Sequence, residues 1–266
     1  MKFRAASAAG AAVLAAGYFF LFAPILSVIV YSFNESRLVT VWSGFSTKWY
    51  VALAADDKVL DAVRMSLLIA VFAATGAVII GTLAAYGLTR FGRFRGRSLL
   101  SGLVAAPLVL PEVTTGVSML LLFVLMERLT GWPQGRGVIT IAIAHVTFAV
   151  GYATVVIQSR LANLDPSLEE AAADLGARPL RTFTSVVLPL IAPALAAAWL
   201  LSFSLSLDDF VITAFVTGPG ATTLPLFVFS SVKLGMSPEI NALGTIIVAV
   251  ASLVALGATI LQRRRA

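Results

Sequence analysis

Long apolar runs separated by short polar stretches dominate the chain, at about 8–31, 63–88, 99–126, 138–158, 186–207 and 242–261. Each run is close to the ~20 apolar residues that a helix needs to cross a hydrocarbon core. The pattern therefore predicts an all-α polytopic membrane protein with six transmembrane helices. The first run is too long for the ~7–15-residue apolar region of a signal peptide, so it reads as an uncleaved first helix. An even number of spans puts both termini on one side, and the loop charges test that count. Lys2, Arg4, Arg90, Arg93, Arg95, Arg97, Arg160, Arg178, Arg181, Arg263, Arg264 and Arg265 fall on the terminal side. The opposite side mixes Arg37, Lys48, Lys58, Arg64, Arg128, Arg136 and Lys233 with eight acids, from Glu35 to Glu239. Positively charged loops face the cytoplasm, which predicts cytoplasmic termini.

One membrane domain over 1–266 is expected: a first helix at about 8–31, an outer segment at about 32–62, and a five-helix core at about 63–262. A cytoplasmic loop at about 159–185 interrupts that core. Trp42, Trp49 and Tyr50 in the outer segment suit an interfacial aromatic belt. The last outer stretch is apolar but broken by Gly218, Pro219, Gly220, Pro225 and Pro238. Irregular backbone at membrane depth is tolerated only against protein or a wet cavity. Packing against a partner or pathway, and an ordinary loop with an interfacial helix, both stay open.

Composition agrees with the pattern. Of the 266 residues 59% are hydrophobic and 12% charged, and the mean hydropathy is +0.96, whereas soluble domains carry roughly a quarter charged residues. The net charge of +6 sits in clusters beside apolar runs rather than on a basic face, which argues against nucleic acid. With no cysteine in the chain, disulfides and thiol chemistry are excluded.

The loop "DPSLEEAAADLGARPLRTF" is the part least explained by hydropathy. Asp165 can cap a helix whose first position is Pro166, and Glu169 and Glu170 near its start suit the helix dipole. Leu168, Ala171, Ala172 and Leu175 share one face by helical spacing, while Glu170 and Asp174 share the other. Gly176 supplies the stop, and Arg178-Pro179 starts a second short helix that runs into the fifth span. Helices lying on anionic lipid favour Lys and Arg. An acidic helix with small apolar residues instead fits a groove in a cytoplasmic protein.

Glu170-Ala171-Ala172, three residues, Gly176, nine residues, Val186, one residue and Leu188-Pro189 resembles the EAA signature of transmembrane permease subunits of ABC importers. The one departure is Val186, where isoleucine is usual. "PLVLPEVTTGVSMLLLF", "GWPQGRGVITIAIAHVTFAVGYATVVIQSRL" and "SLDDFVITAFVTGPGATTLPLFVFSSVKLGMSPEINALGTI" resemble the polyamine branch of that family. The resemblance implies a type I (MetI-like) importer permease fold in the bacterial inner membrane, without enzymatic activity or cofactor of its own. It implies a coupling helix formed by Glu169, Glu170, Ala171, Ala172, Asp174, Leu175 and Gly176, seated on an ATP-hydrolysing subunit. It further implies a second homologous permease, two ATPases that bind ATP, and a periplasmic binding protein. Putrescine is the implied substrate, with spermidine or another small solute as the alternative. No P-loop appears in this chain, so ATP would be bound by the partners.

A diamine dication needs acceptors to cross an apolar core. Glu112, in "PLVLPEVTTG", is the acid most embedded in apolar sequence, with Pro107 and Pro111 positioned to break the helix beside it. It stands as a pathway candidate against a capping role near the interface. Asp208 and Asp209 end the fifth span and either attract a cation or cap the next turn. His145 is the only histidine and reads as a hydrogen-bonded packing residue, with no metal constellation around it. Arg90, Arg93, Arg95 and Arg97 read as topogenic, lipid-facing charges. Gly81 and Gly87 read as sites of close helix packing. An intramembrane hydrolase is disfavoured because Asp208 and Asp209 are adjacent and point apart. A self-sufficient secondary transporter is disfavoured for want of an internal repeat.

Overall fold

Twelve helices, labelled α1 to α12 in chain order, account for the apolar runs and the segments between them. They are α1 Ala8–Ser32, α2 Lys48–Ala54, α3 Asp57–Arg90, α4 Arg97–Val109, α5 Glu112–Thr130 and α6 Val138–Ala162. There follow α7 Ser167–Asp174, α8 Pro179–Thr182, a π-helical turn Phe183–Val187, α9 Leu188–Leu207, α10 Val211–Val216, α11 Leu224–Leu234 and α12 Pro238–Arg263. The computed structural model describes residues 8–38, 41–235 and 237–263. Lys2, Arg4, Arg264 and Arg265, which enter the charge bias, lie outside the described residues. Among the described residues there is no strand, only an isolated bridge between Asn34 and Phe45. Among the described residues five helices are long and apolar enough to cross a membrane, Gly10–Ser32, Asp57–Arg90, Glu112–Thr130, Val138–Ala162 and Pro179–Leu207. With α12, 26 residues long, these fall on the six predicted runs, the third of which is divided between α4 and α5.

Two compact units emerge, residues 1–60 with 228–266, and residues 61–227. The last helix falls with the first in one of these units. In the first unit α12 lies against both α1 and α2, and Val28 fills the space over Gly244. The outer segment folds around Asn34, which is fully buried. Its amide donates to the Val41 carbonyl at 2.8 Å and its oxygen accepts the Ser43 N–H at 3.0 Å. Trp49 is buried and donates to the Asn34 carbonyl at 2.7 Å, and the Tyr50 hydroxyl bonds Ser32 Oγ at 2.6 Å. Trp42 stays exposed, as a belt residue would. Trp49 and Tyr50 are instead structural pins.

The second unit is organised around α6, which packs against α4, α5, α9 and α10. Lipid is as apolar as leucine, so helices in it associate through close packing of small residues rather than through the hydrophobic effect. Ala70, Ala73, Ala74, Ala77 and Ala85 of α3 are all fully buried. A side chain at Gly76 would meet Val146 at 2.9 Å, and one at Gly81 would meet Ala153 and the Thr154 backbone at 3.1 Å. Gly87 has no such neighbour beyond Phe91, one residue past the end of its own helix. One core cluster joins Ala77, Ala153, Ile157, Val187 and Ile191, and a second joins Ile69, Phe123, Ile141, Phe148 and Ile212.

The predicted third span is not continuous. Leu110 and Pro111 take extended backbone, with ψ of 137° and 140°, separating α4 from α5. A proline disfavours helical backbone at the residue before it, and Pro111 acts on Leu110 in this way. The turn before α9 loosens for a related reason. Pro189 lacks an N–H for the Ser185 carbonyl, and the chain there forms the π-helical turn Phe183–Val187. The irregular stretch after α9 packs against protein: Ile212, Thr213 and Val216 of α10 are buried, and a side chain on Gly218 would collide with the Arg136 carbonyl.

Candidate functional site

The loop helix α7 is short and has no buried residue. At its start the Asp165 carboxylate accepts the Ser167 N–H at 3.0 Å. That backbone bond, with help from the Ser167 hydroxyl, holds the Asp165 carboxyl below its ordinary range. At its end Gly176 has φ +80°. The Ala177 N–H reaches the Ala172 carbonyl at 3.0 Å and the Gly176 N–H reaches Ala173 at 2.8 Å. This paired closure is a Schellman motif, which satisfies the last carbonyls of the helix. Leu168, Glu170, Ala171, Asp174 and Leu175 all project outward, Leu175 with 90% of its surface exposed. A short helix that turns Glu170, Asp174 and the flanking leucines away from its own chain presents a surface suited to a partner groove.

Glu169 behaves differently. Its Oε1 accepts Arg90 Nε at 2.7 Å and its Oε2 accepts the Tyr86 hydroxyl at 3.0 Å. Arg90 also donates to the Leu164 carbonyl at 3.3 Å, just ahead of α7. Arg90 is therefore paired inside the protein instead of facing lipid, and Glu169 points inward while Glu170 faces outward. A tyrosine and an arginine four residues apart at the end of an apolar helix were the available signal, but no local pattern names a partner 79 positions away.

The second group of residues lies at two helix breaks, between α4 and α5 and between α9 and α10. Glu112 opens α5, whose Gly116 abuts Phe215 and Ile212 of α10 closely enough that a side chain there would sit 2.6 Å from the Phe215 ring. Glu112 lies within electrostatic reach of Asp208 and Asp209. The break between α4 and α5 adjoins a recess of about 310 Å³ lined by Leu103, Pro107, Leu110, Thr115, Ser118 and Thr147, among others. Asp209 is only 8% exposed. It caps α10, accepting the Thr213 N–H at 2.8 Å and the Ile212 N–H at 3.2 Å. It also bonds His145 Nε2 at 3.1 Å, while His145 Nδ1 bonds Ser206 Oγ at 2.7 Å. His145, 2% exposed, thus joins α6 to the end of α9 and the start of α10, which agrees with the packing role expected of it. Asp208 and Glu112 remain exposed. Ser206 and Thr213 escaped the sequence reading because hydroxyls in apolar helices are common, and only the fold brings them to His145.

The family described as "Binding-protein-dependent transport system inner membrane component" matches residues 77–265. The chain is 55% identical over 252 residues to the putrescine transport system permease protein PotI of Escherichia coli (strain K12), covering 95% of this chain and 90% of that protein. It is 41% identical over 247 residues to the spermidine/putrescine transport system permease protein PotC of the same strain, covering 92% and 90%. Among solved structures, a bacterial ABC transporter involved in import of the acidic polysaccharide alginate matches with a TM-score of 0.70 at 19% identity, covering 99% of each chain. The MetNI methionine ABC transporter matches with a TM-score of 0.61 at 17% identity, covering 77% of this chain and 94% of that one. The fold is that of an ABC importer permease, as the resemblance in the cytoplasmic loop implied.

Proposed function

The chain belongs to the family of inner membrane components of binding-protein-dependent transport systems, and from that premise we propose that it is a permease subunit of an ATP-driven putrescine importer. Likeness to a putrescine permease across nearly the whole chain carries the substrate. Spermidine is the second reading, favoured by the weaker likeness to a spermidine/putrescine permease. Both units form one permease subunit that pairs with a sister permease and two ATPases, and receives its cargo from a periplasmic binding protein. Both termini face the cytoplasm, as the clustering of Arg90, Arg93, Arg95, Arg97, Arg160, Arg178 and Arg181 supports.

The outward face of α7, with Glu170, Ala171, Asp174 and Leu175, is the surface that docks on the ATPase. ATP is bound and hydrolysed there, in the partner. Closure of the two ATPases moves α7 and, through it, the spans. At the opposite end of the path, a diamine needs carboxylates that attract it without holding it. Asp209 is engaged by His145 and α10, so Glu112 and Asp208 are the acids that line the route. Their exposure at a helix break supports this, because a charge facing hydrocarbon would cost several kcal/mol.

Uptake of labelled putrescine by cells expressing the full set of subunits tests the proposal, with Glu170→Lys and Gly176→Pro as variants. Both variants reach the membrane and lose uptake together with recovery of the ATPase on purification. Normal uptake by either variant contradicts the docking surface, and no putrescine entry with the parent chain contradicts the substrate.

A further inference from the structure

We propose that Arg90, Glu169 and Tyr86 form a transmission joint by which α7 drives α3 directly, in addition to the helices that flank α7 in sequence. The inference rests on the importer reading above. A helix as short as α7 has little stability of its own and buries none of its residues. Motion imposed on it reaches the bundle only where it is fixed. Its chain connections lead to α6 and α8, and it packs on α8 and the π-helical turn. The remaining fixed point is Glu169.

Both oxygens of that carboxylate are held from successive turns of α3, by Arg90 Nε at 2.7 Å and the Tyr86 hydroxyl at 3.0 Å. The two charged side chains are mostly shielded, 14% and 19% exposed. Arg90 grips the Leu164 carbonyl as well, so one guanidinium holds both the lead into α7 and its first turn. The Tyr86 ring also stands edge-on to Phe183 of the π-helical turn, 5.2 Å between centroids. One side chain therefore touches the loop helix and the irregular turn that leads into α9. A largely shielded ion pair contributes little net stability but fixes geometry, which suits a joint better than a brace.

From this joint α3 runs without proline to Ser66, 20 residues before Tyr86 and about 30 Å along the axis. There Ser66 Oγ accepts the Leu224 N–H at 2.7 Å, and along the way Thr75 Oγ1 accepts Trp199 Nε1 at 3.1 Å. A continuous helix with α7 at one end and the start of α11 at the other connects the ATPase-facing loop to the far side of the second unit. Arg90, Glu169 and Tyr86 are positioning residues in this scheme, since they act through helices and touch no substrate.

The test is the number of putrescine molecules moved per ATP hydrolysed, measured in proteoliposomes that hold the complete importer. Arg90→Gln and Glu169→Gln are expected to keep the ATPase bound and hydrolysing while the ratio falls about tenfold. The double variant falls no further than either single one, as members of one contact should. A purely structural role would leave the ratio in assembled complexes unchanged. Because this chain has no cysteine, Tyr86→Cys with Glu169→Cys, in cysteine-free partners, offers a second arm that also serves if the neutral variants assemble poorly. The ratio falls in that pair and recovers when a short bifunctional thiol reagent bridges it. An unchanged ratio in the variants, or a loss that bridging leaves in place, overturns the joint. A parent complex that moves no putrescine with ATP overturns the importer reading itself.

Discussion

Asp209 meets several demands with one carboxylate: two backbone N–H groups of α10, the Thr213 hydroxyl and the His145 ring. A charged group this enclosed depends on every partner, since each unmet bond leaves desolvation uncompensated. Replacing His145 by Leu should lower stability by about 2–3 kcal/mol, read as a fall in the unfolding temperature in detergent, whereas an exchange at half-buried Thr147, whose hydroxyl bonds only the Ile143 carbonyl of its own helix, should have little effect. Glu112 carries no comparable structural duty. Glu112→Gln should leave assembly and thermal stability unchanged and reduce putrescine uptake by about tenfold, consistent with removing roughly 1.4 kcal/mol of attraction. An equal loss of uptake and stability would place Glu112 in the fold instead of the pathway.

At the scale of elements, the breaks matter more than the helices. Gly176 closes α7 in left-handed backbone with open space around it. Gly176→Ala should therefore cost only the conformational penalty, about 1–2 kcal/mol, seen as weaker retention of the ATPase, while Gly176→Pro removes the N–H that bonds Ala173 as well. Gly151 works by closeness instead: a Cβ there would stand 2.6 Å from the Val104 carbonyl. Gly151→Ala should push α4 from α6 and cost about 1–3 kcal/mol, measured by thermal unfolding. Much of this was legible in the chain. The cap at Asp165, the stop at Gly176 and the small helix at Pro179 are local chemistry, and local chemistry can be read from adjacent residues. The break at Pro111 was signalled by its proline but hidden by unbroken hydropathy, which counts apolar residues and says nothing of backbone angles. The inward turn of Glu169 and the pinning of Trp49 by Asn34 were not legible, because each depends on a partner that only the folded chain supplies.

For the whole molecule, the charge bias and six apolar runs pointed to a polytopic membrane protein and the EAA-like loop to a permease, and family membership agrees. Hydropathy could not show that the first and last helices form a unit of their own with α2, since periodicity carries no information on which spans pair. The central claim is that this chain conveys a diamine across the membrane at the expense of ATP hydrolysed by partners docked on α7. Its most direct test is uptake of labelled putrescine into proteoliposomes containing the complete importer, with and without ATP on the α7 side and with unlabelled spermidine as competitor. The account predicts uptake that requires ATP, is reduced more by unlabelled putrescine than by spermidine, and disappears with Glu170→Lys. Uptake that persists without ATP, or that Glu170→Lys leaves intact, would contradict it.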